Sequence, residues 1–170
     1  GVIDFTEVGL TDETLKNLER IYIVACGSAY HVGMAARYVL EDMVRIPVEV
    51  DLASEFRYRN PILVPNSIVI VISQSGETAD SLAALRLAKE GGIPVLGIVN
   101  VVGSRIASES DYILYTYAGP EISVATTKAY STQLIATYLL AVQAAKVNGT
   151  MDDKRYSDLI VEIQTLPCKI

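Results

Sequence analysis

Ser67-Ile68-Val69-Ile70-Val71-Ile72, running at once into Ser73-Gln74-Ser75-Gly76-Glu77-Thr78, decides the architecture. The first half is apolar and β-branched at nearly every position. A strand with one wet face would alternate apolar and polar residues. This one does not, so both its faces are predicted to be covered, as in a parallel sheet held between two helical layers. The second half is a short polar turn. It leads into Ala79–Glu90, where Leu82, Leu85 and Ala88 recur at helical spacing and Gly91-Gly92 supplies a stop.

The same alternation extends outward. Ile21-Tyr22-Ile23-Val24-Ala25 and Pro94-Val95-Leu96-Gly97-Ile98-Val99 read as further buried strands. Val48-Glu49-Val50-Asp51-Leu52 and Tyr112-Ile113-Leu114-Tyr115 are weaker, and the acids of the first place it away from the centre of the sheet. Helices are predicted over roughly 13–19, capped by Thr11 or Asp12, and over 30–44, with Val32, Ala35, Ala36, Val39, Leu40 and Met43 on one face. A short helix is expected near 54–59, before the Asn60-Pro61 and Pro65-Asn66 loop. The longest helix is predicted from Ala125 or Lys128 to Val147, ended by Asn148-Gly149 and apolar nearly all round, so burial on most sides is expected. Residues 153–163 look like the start of a helix leading out. The fold class is therefore α/β, a three-layer sandwich with about five parallel strands.

Composition bounds the function. The 170 residues are 51% hydrophobic and 20% charged, enough for one sizeable core and unlike a disordered chain. Fourteen Lys+Arg against 20 Asp+Glu give a net charge of −6, with no basic run, which argues against nucleic-acid binding. Cys26 and Cys168 build neither a disulfide framework nor a zinc site, and point to a reducing, cytoplasmic setting. No signal peptide is evident, and the longest greasy stretch, 134–142, is far short of the ~20 residues a membrane helix needs. The chain does not open on Met, which suggests a piece of a longer protein.

In open parallel sheets ligands bind beyond the carboxyl ends of the strands, so the loops there carry the functional reading. Cys26-Gly27-Ser28-Ala29 combines a turn-forming glycine with small residues, without the three glycines of a dinucleotide loop. Ser73–Thr78 places three hydroxyls and an amide where a strand hands over to a helix N-terminus. Free N–H groups and the positive helix end favour an anion there. It lacks the Gly-Lys-Ser/Thr ending of a Walker loop. Ala118–Lys128 again runs small and hydroxyl residues into a helix start. Any one of these loops could be only a helix cap; three at one end of one sheet point to a metabolite monoester site.

Ser73-Gln74-Ser75-Gly76-Glu77-Thr78-Ala79-Asp80-Ser81-Leu82 resembles the signature of the sugar isomerase (SIS) domain family. Three further segments, Ala25–Gly33, Ala53–Arg59 and Ala118–Ala129, resemble the first SIS half of the glutamine–fructose-6-phosphate aminotransferase family. That resemblance implies a flavodoxin-like SIS domain over 21–150, a linker and lead-in helix over 1–20, and over 151–170 the start of a connection to a second SIS half. It implies a parent that also carries a glutaminase domain and makes glucosamine 6-phosphate from fructose 6-phosphate and glutamine. Carried over by motif, Ser73, Gln74, Ser75 and Thr78 would hold the sugar phosphate. Gly27, Ser28 and Val124-Ala125-Thr126 would line the sugar. Ala29 and Thr126 depart from the usual serines, the first losing a hydroxyl. The family's acid/base groups, Schiff-base lysine and glutaminase nucleophile lie in other segments. No catalytic residue, cofactor or metal is therefore assigned here, and these 170 residues alone are expected to be inactive. Homodimers mimicking the paired SIS halves are expected.

Other residues read as structural. His31, the only histidine, shows no positioned partner. Cys26 reads as a small buried residue. Lys128 belongs to a solvated face or an ion pair with Glu121, and Glu121 closes its loop by accepting backbone N–H bonds. Arg57, Arg59 and Glu55 form a charged surface between elements or subunits. Two other readings stay open: a different SIS isomerase or deglycase acting on another amino-sugar phosphate, and a non-catalytic sugar-phosphate sensor.

Overall fold

The computed structural model describes residues 1–169; Ile170, the last residue of the predicted connection segment, lies outside the described residues. The five predicted strands all form: β1 (Arg20–Ala25), β2 (Val48–Leu52), β3 (Ser67–Ser73), β4 (Val95–Val99) and β5 (Tyr112–Tyr115). They lie side by side in the order β2-β1-β3-β4-β5, every neighbouring pair parallel.

The pleat explains why the central strands are apolar throughout. Ile21, Ile23, Ile68, Ile70, Ile72, Leu96 and Ile98 point to one face and join a core with the helices α2 (Ser28–Val44) and α6 (Lys128–Val147). Tyr22, Val24, Val69, Val71, Val95 and Val99 point to the other. There they meet α3 (Ala53–Tyr58), α4 (Ala79–Glu90) and α5 (Arg105–Glu109). Period-two alternation thus feeds two cores from one sheet. Buried Tyr22 keeps its hydroxyl satisfied by donating to the Ile62 carbonyl at 2.9 Å. The acids of β2 sit at a sheet edge, where Arg59 pairs with both Glu49 and Asp51.

The flanking segments pack onto the α2–α6 side. Phe5, Leu10, Leu15 and Leu18 are buried there around α1 (Asp12–Lys16), and so are Tyr156 and Ile160 of α7 (Asp153–Thr165). One amide ties them together. Gln143 of α6 donates to Asp12 at 3.0 Å and accepts from the Tyr156 hydroxyl at 3.0 Å.

Several expectations need correction. α1 ends at Lys16, because Leu18 already turns toward β1, and α2 begins at Ser28 rather than Tyr30. α5 has no counterpart in the sequence reading, since five residues are too few to display a period. α6 is not buried on most sides. Its Leu140–Ala145 end is enclosed, while Leu134, Ile135, Tyr138 and Leu139 are only half-buried, because only one stripe of that end meets α2 and the sheet.

The strand order fixes where a ligand can enter. From β1 the chain passes to β2 on one side, then returns to lay β3 on the other. The loops leaving β1 and β3 therefore part toward opposite faces and open a crevice between them.

Candidate functional site

A cavity of about 270 Å³ occupies that crevice. This is at the small end of the roughly 300–1,000 Å³ usual for small-molecule clefts. The turn after β1 supplies one wall: Cys26, Gly27, Ser28 and Ala29. Gly27 adopts φ 55°, ψ −133°, a left-handed conformation that a side chain would strain, and so brings Ser28 back over the crevice at the first residue of α2.

The turn after β3 supplies the second wall, with Ser73, Gln74, Ser75 and Thr78 all on the cavity. Its hydroxyls also shape the loop. Ser73 Oγ accepts from the Gly76 N–H at 3.0 Å and lies 3.2 Å from Thr78 Oγ1, while Ser75 Oγ accepts from the Glu77 N–H at 3.2 Å. Ser75, which only accepts, retains its proton for an anion, and the Ser73–Thr78 pair spends one of its two protons between them and keeps the other. Thr78 precedes α4 but makes no side-chain cap bond, so the first turn of α4 keeps its N–H groups for a ligand.

The segment after β4 braces this turn from behind. Asn100 N–H donates to the Gln74 carbonyl at 3.2 Å, and Ile106 N–H donates to the Gly76 carbonyl at 3.0 Å. The two carboxylates nearest the turn are each neutralised by an arginine: Glu77 by Arg105 at 3.1 Å and Asp80 by Arg57 at 2.8 Å. Donation of a hydrogen bond to the Asp80 carboxylate holds the Arg57 guanidinium pKa still further above its ordinary range. Arg57 and Arg59 thus bridge elements rather than enter the cavity. Among the described residues, none of those lining the cavity is charged.

The loop before α6 forms the outer rim, with Ser123, Val124 and Thr126 on the cavity. Ala125 is the one sequence-assigned site residue outside the lining; it is exposed, and its carbonyl accepts from Ser123 Oγ at 3.0 Å. Glu121 holds the loop as expected, its Oε2 accepting from the N–H groups of Thr127 and Ala129 at 3.3 Å each. Glu121→Ala is expected to cost about 1 kcal/mol, the usual loss for a removed helix cap, and to lower the melting midpoint by roughly 2–4 °C. An unchanged midpoint in a thermal melt would show that other contacts hold the loop.

One residue differs from its sequence reading, and another had none. Cys26 is half-buried rather than buried, and it lines the cavity, where Ser81 Oγ donates to its sulfur at 3.8 Å. Gln133, not singled out from the sequence, reaches the cavity from α6 and is 1% exposed. Its signal was its place in the stripe Ala129, Gln133, Thr137, Leu140, Ala144, all buried. His31 is exposed beside Tyr30, and Lys128 is exposed at the start of α6; neither lines the cavity.

Known proteins resemble this chain in sequence and in fold. The chain is 56% identical over 163 residues to the glutamine–fructose-6-phosphate aminotransferase [isomerizing] of Caldanaerobacter subterraneus subsp. tengcongensis, which covers 96% of this chain and 27% of that protein. It is 46% identical over 170 residues to the protein of the same name from Methanosarcina mazei, covering 100% of this chain and 28% of that one. The chain thus spans little more than a quarter of the length of the curated relatives it matches. The C-terminal domain of glucosamine-fructose-6-phosphate aminotransferase from Francisella tularensis superposes with a TM-score of 0.87 at 39% identity, covering 91% of this chain and 44% of that one. The sequence profile of the SIS domain matches residues 14–143. That span contains all five strands and every residue lining the cavity, and the chain belongs to the SIS domain family.

Proposed function

We propose that this chain is the phosphosugar-binding unit of a glutamine–fructose-6-phosphate aminotransferase, and that it binds fructose 6-phosphate with the phosphate on the Ser73–Thr78 turn. The observation that carries this reading is the turn itself. Hydroxyls with protons to give and an uncapped helix start converge on one small cavity, and the acids nearest the turn are neutralised outside it. Such a cradle suits a dianion that must later be released, since it uses dipoles rather than fixed charge. The identity to aminotransferases along nearly the whole chain supports the choice of sugar phosphate.

In the complete enzyme, nitrogen from glutamine would replace the ketose oxygen to give glucosamine 6-phosphate. Within this chain, Ser73, Gln74, Ser75 and Thr78 hold the phosphate, while Gly27, Ser28, Val124, Ala125 and Thr126 border the sugar. The acid/base groups come from a second SIS unit, and the ammonia from a glutaminase domain. The half-buried apolar residues of α6 fit pairing with such a unit, or with a second copy of this chain in a homodimer.

Titrating the protein with fructose 6-phosphate, inorganic phosphate and fructose tests the reading. Fructose 6-phosphate is expected to bind in the millimolar to micromolar range, inorganic phosphate more weakly, and fructose not detectably. Fructose binding as well as its phosphate would overturn the assignment.

A further inference from the structure

Gln133 carries a polar atom that the protein itself leaves unanswered. Its Oε1 is buried and no donor among the described residues reaches it, although the side chain lines the cavity and is 1% exposed. The rest of α6 does not behave this way. Gln143 uses both ends of its amide, donating to Asp12 and accepting from Tyr156. Thr137 donates to the Leu134 carbonyl at 2.8 Å. The other buried oxygens without partners, in Ser104 and Asn148, lie away from the cavity.

An orphaned buried acceptor is destabilising, and leucine would fill the same space without that penalty. A polar side chain held there against stability points to a partner that arrives from outside. The chemistry of the oxygen selects that partner. Oε1 of an amide only accepts, and the phosphate dianion of a sugar monoester brings only acceptors. The phosphate therefore cannot answer it, but an O–H group can.

We propose that Gln133 Oε1 accepts a hydrogen bond from a hydroxyl of the bound sugar, which makes Gln133 a specificity-determining residue for the sugar end of the site. The proposal rests on the phosphosugar reading given above. It assigns the two ends of one ligand to two elements, the anion to the turn before α4 and a hydroxyl to the inner face of α6.

The test uses Gln133→Leu and Gln133→Met, titrated at about pH 8 with fructose 6-phosphate and with methyl phosphate, both then dianions, alongside thermal melts without ligand. Both variants should bind fructose 6-phosphate about tenfold more weakly. Methyl phosphate should bind them within about twofold of the parent protein, because its dianion has no donor for Oε1. The ligand-free melting midpoint should stay the same or rise, since an unpaired acceptor has been removed. Unchanged affinity for fructose 6-phosphate would overturn the proposal. So would an equal loss for both ligands, or a lowered midpoint in both variants, since each marks Gln133 as structural. If the parent protein does not bind fructose 6-phosphate, the phosphosugar reading itself falls, and that result is visible before either variant is made.

Discussion

Replacing Gly76 by alanine should abolish detectable phosphate binding and destabilise the fold by about 2–5 kcal/mol. Two separate effects add. Gly76 sits at φ 68°, in the left-handed region, where a Cβ costs about 1–2 kcal/mol. The added Cβ would also lie 2.0 Å from Ser104 Oγ and 2.5 Å from Ser104 Cβ. Ser104 Oγ could rotate aside, but Ser104 Cβ is fixed to the backbone, so the turn or α5 must shift, at about 1–3 kcal/mol for overpacking. The shift matters for binding because the Gly76 N–H donates to Ser73 Oγ and its carbonyl accepts from Ile106, which fixes the turn at both ends. A thermal melt should show the midpoint falling by roughly 5–15 °C. The double variant Gly76→Ala/Ser104→Gly separates the effects: it should recover the steric part and leave the backbone part. A single variant that melts within about 2 °C of the parent would mean the turn is far softer than this packing implies.

The second large effect belongs to the hydroxyls. Ser73→Ala combined with Ser75→Ala should weaken fructose 6-phosphate by about 3–5 kcal/mol, two to three and a half decades, at roughly 1.5–3 kcal/mol for each hydrogen bond to a charged group. Stability should fall by about 1 kcal/mol, because removing Ser73 Oγ leaves the Gly76 N–H without its acceptor. Affinity and stability thus respond very differently, and measuring both on one preparation exposes the difference. Equal affinity in parent and double variant would leave the loop with a capping role alone.

Much of this architecture could be read from the chain. The helices α4 and α6 occur over residues where pattern placed them, because long periodic helices are unambiguous signals, and even the weaker strands β2 and β5 keep their bounds, since alternation and β-branched or aromatic residues mark a strand that is only half covered. The turn at Ser73–Thr78 was legible for a related reason: several hydroxyls between a buried strand and a helix have few other uses. What escaped were features decided by tertiary neighbours. α5 is one turn whose Ile106 is buried only because α4 and β4 lie over it. Half-burial of α6 depends on how much of it α2 covers, which local sequence does not encode. Gln133 looks like any solvated helical glutamine until the stripe it shares with Ala129 and Leu140 is seen to face inward. The exposure of Ala125 turns on the path of one loop, which residue type alone does not determine.

The uncharged lining of the cavity has a kinetic consequence. A phosphate site built on lysine or arginine draws its ligand in from a distance, and added salt slows capture by screening that attraction. Here attraction begins only within hydrogen-bond range, where mobile ions cannot intervene. At longer range this chain, with its net charge of −6, repels a dianion. Raising ionic strength should therefore speed encounter slightly while leaving the departure rate almost untouched, the opposite of the behaviour of a cationic anion trap.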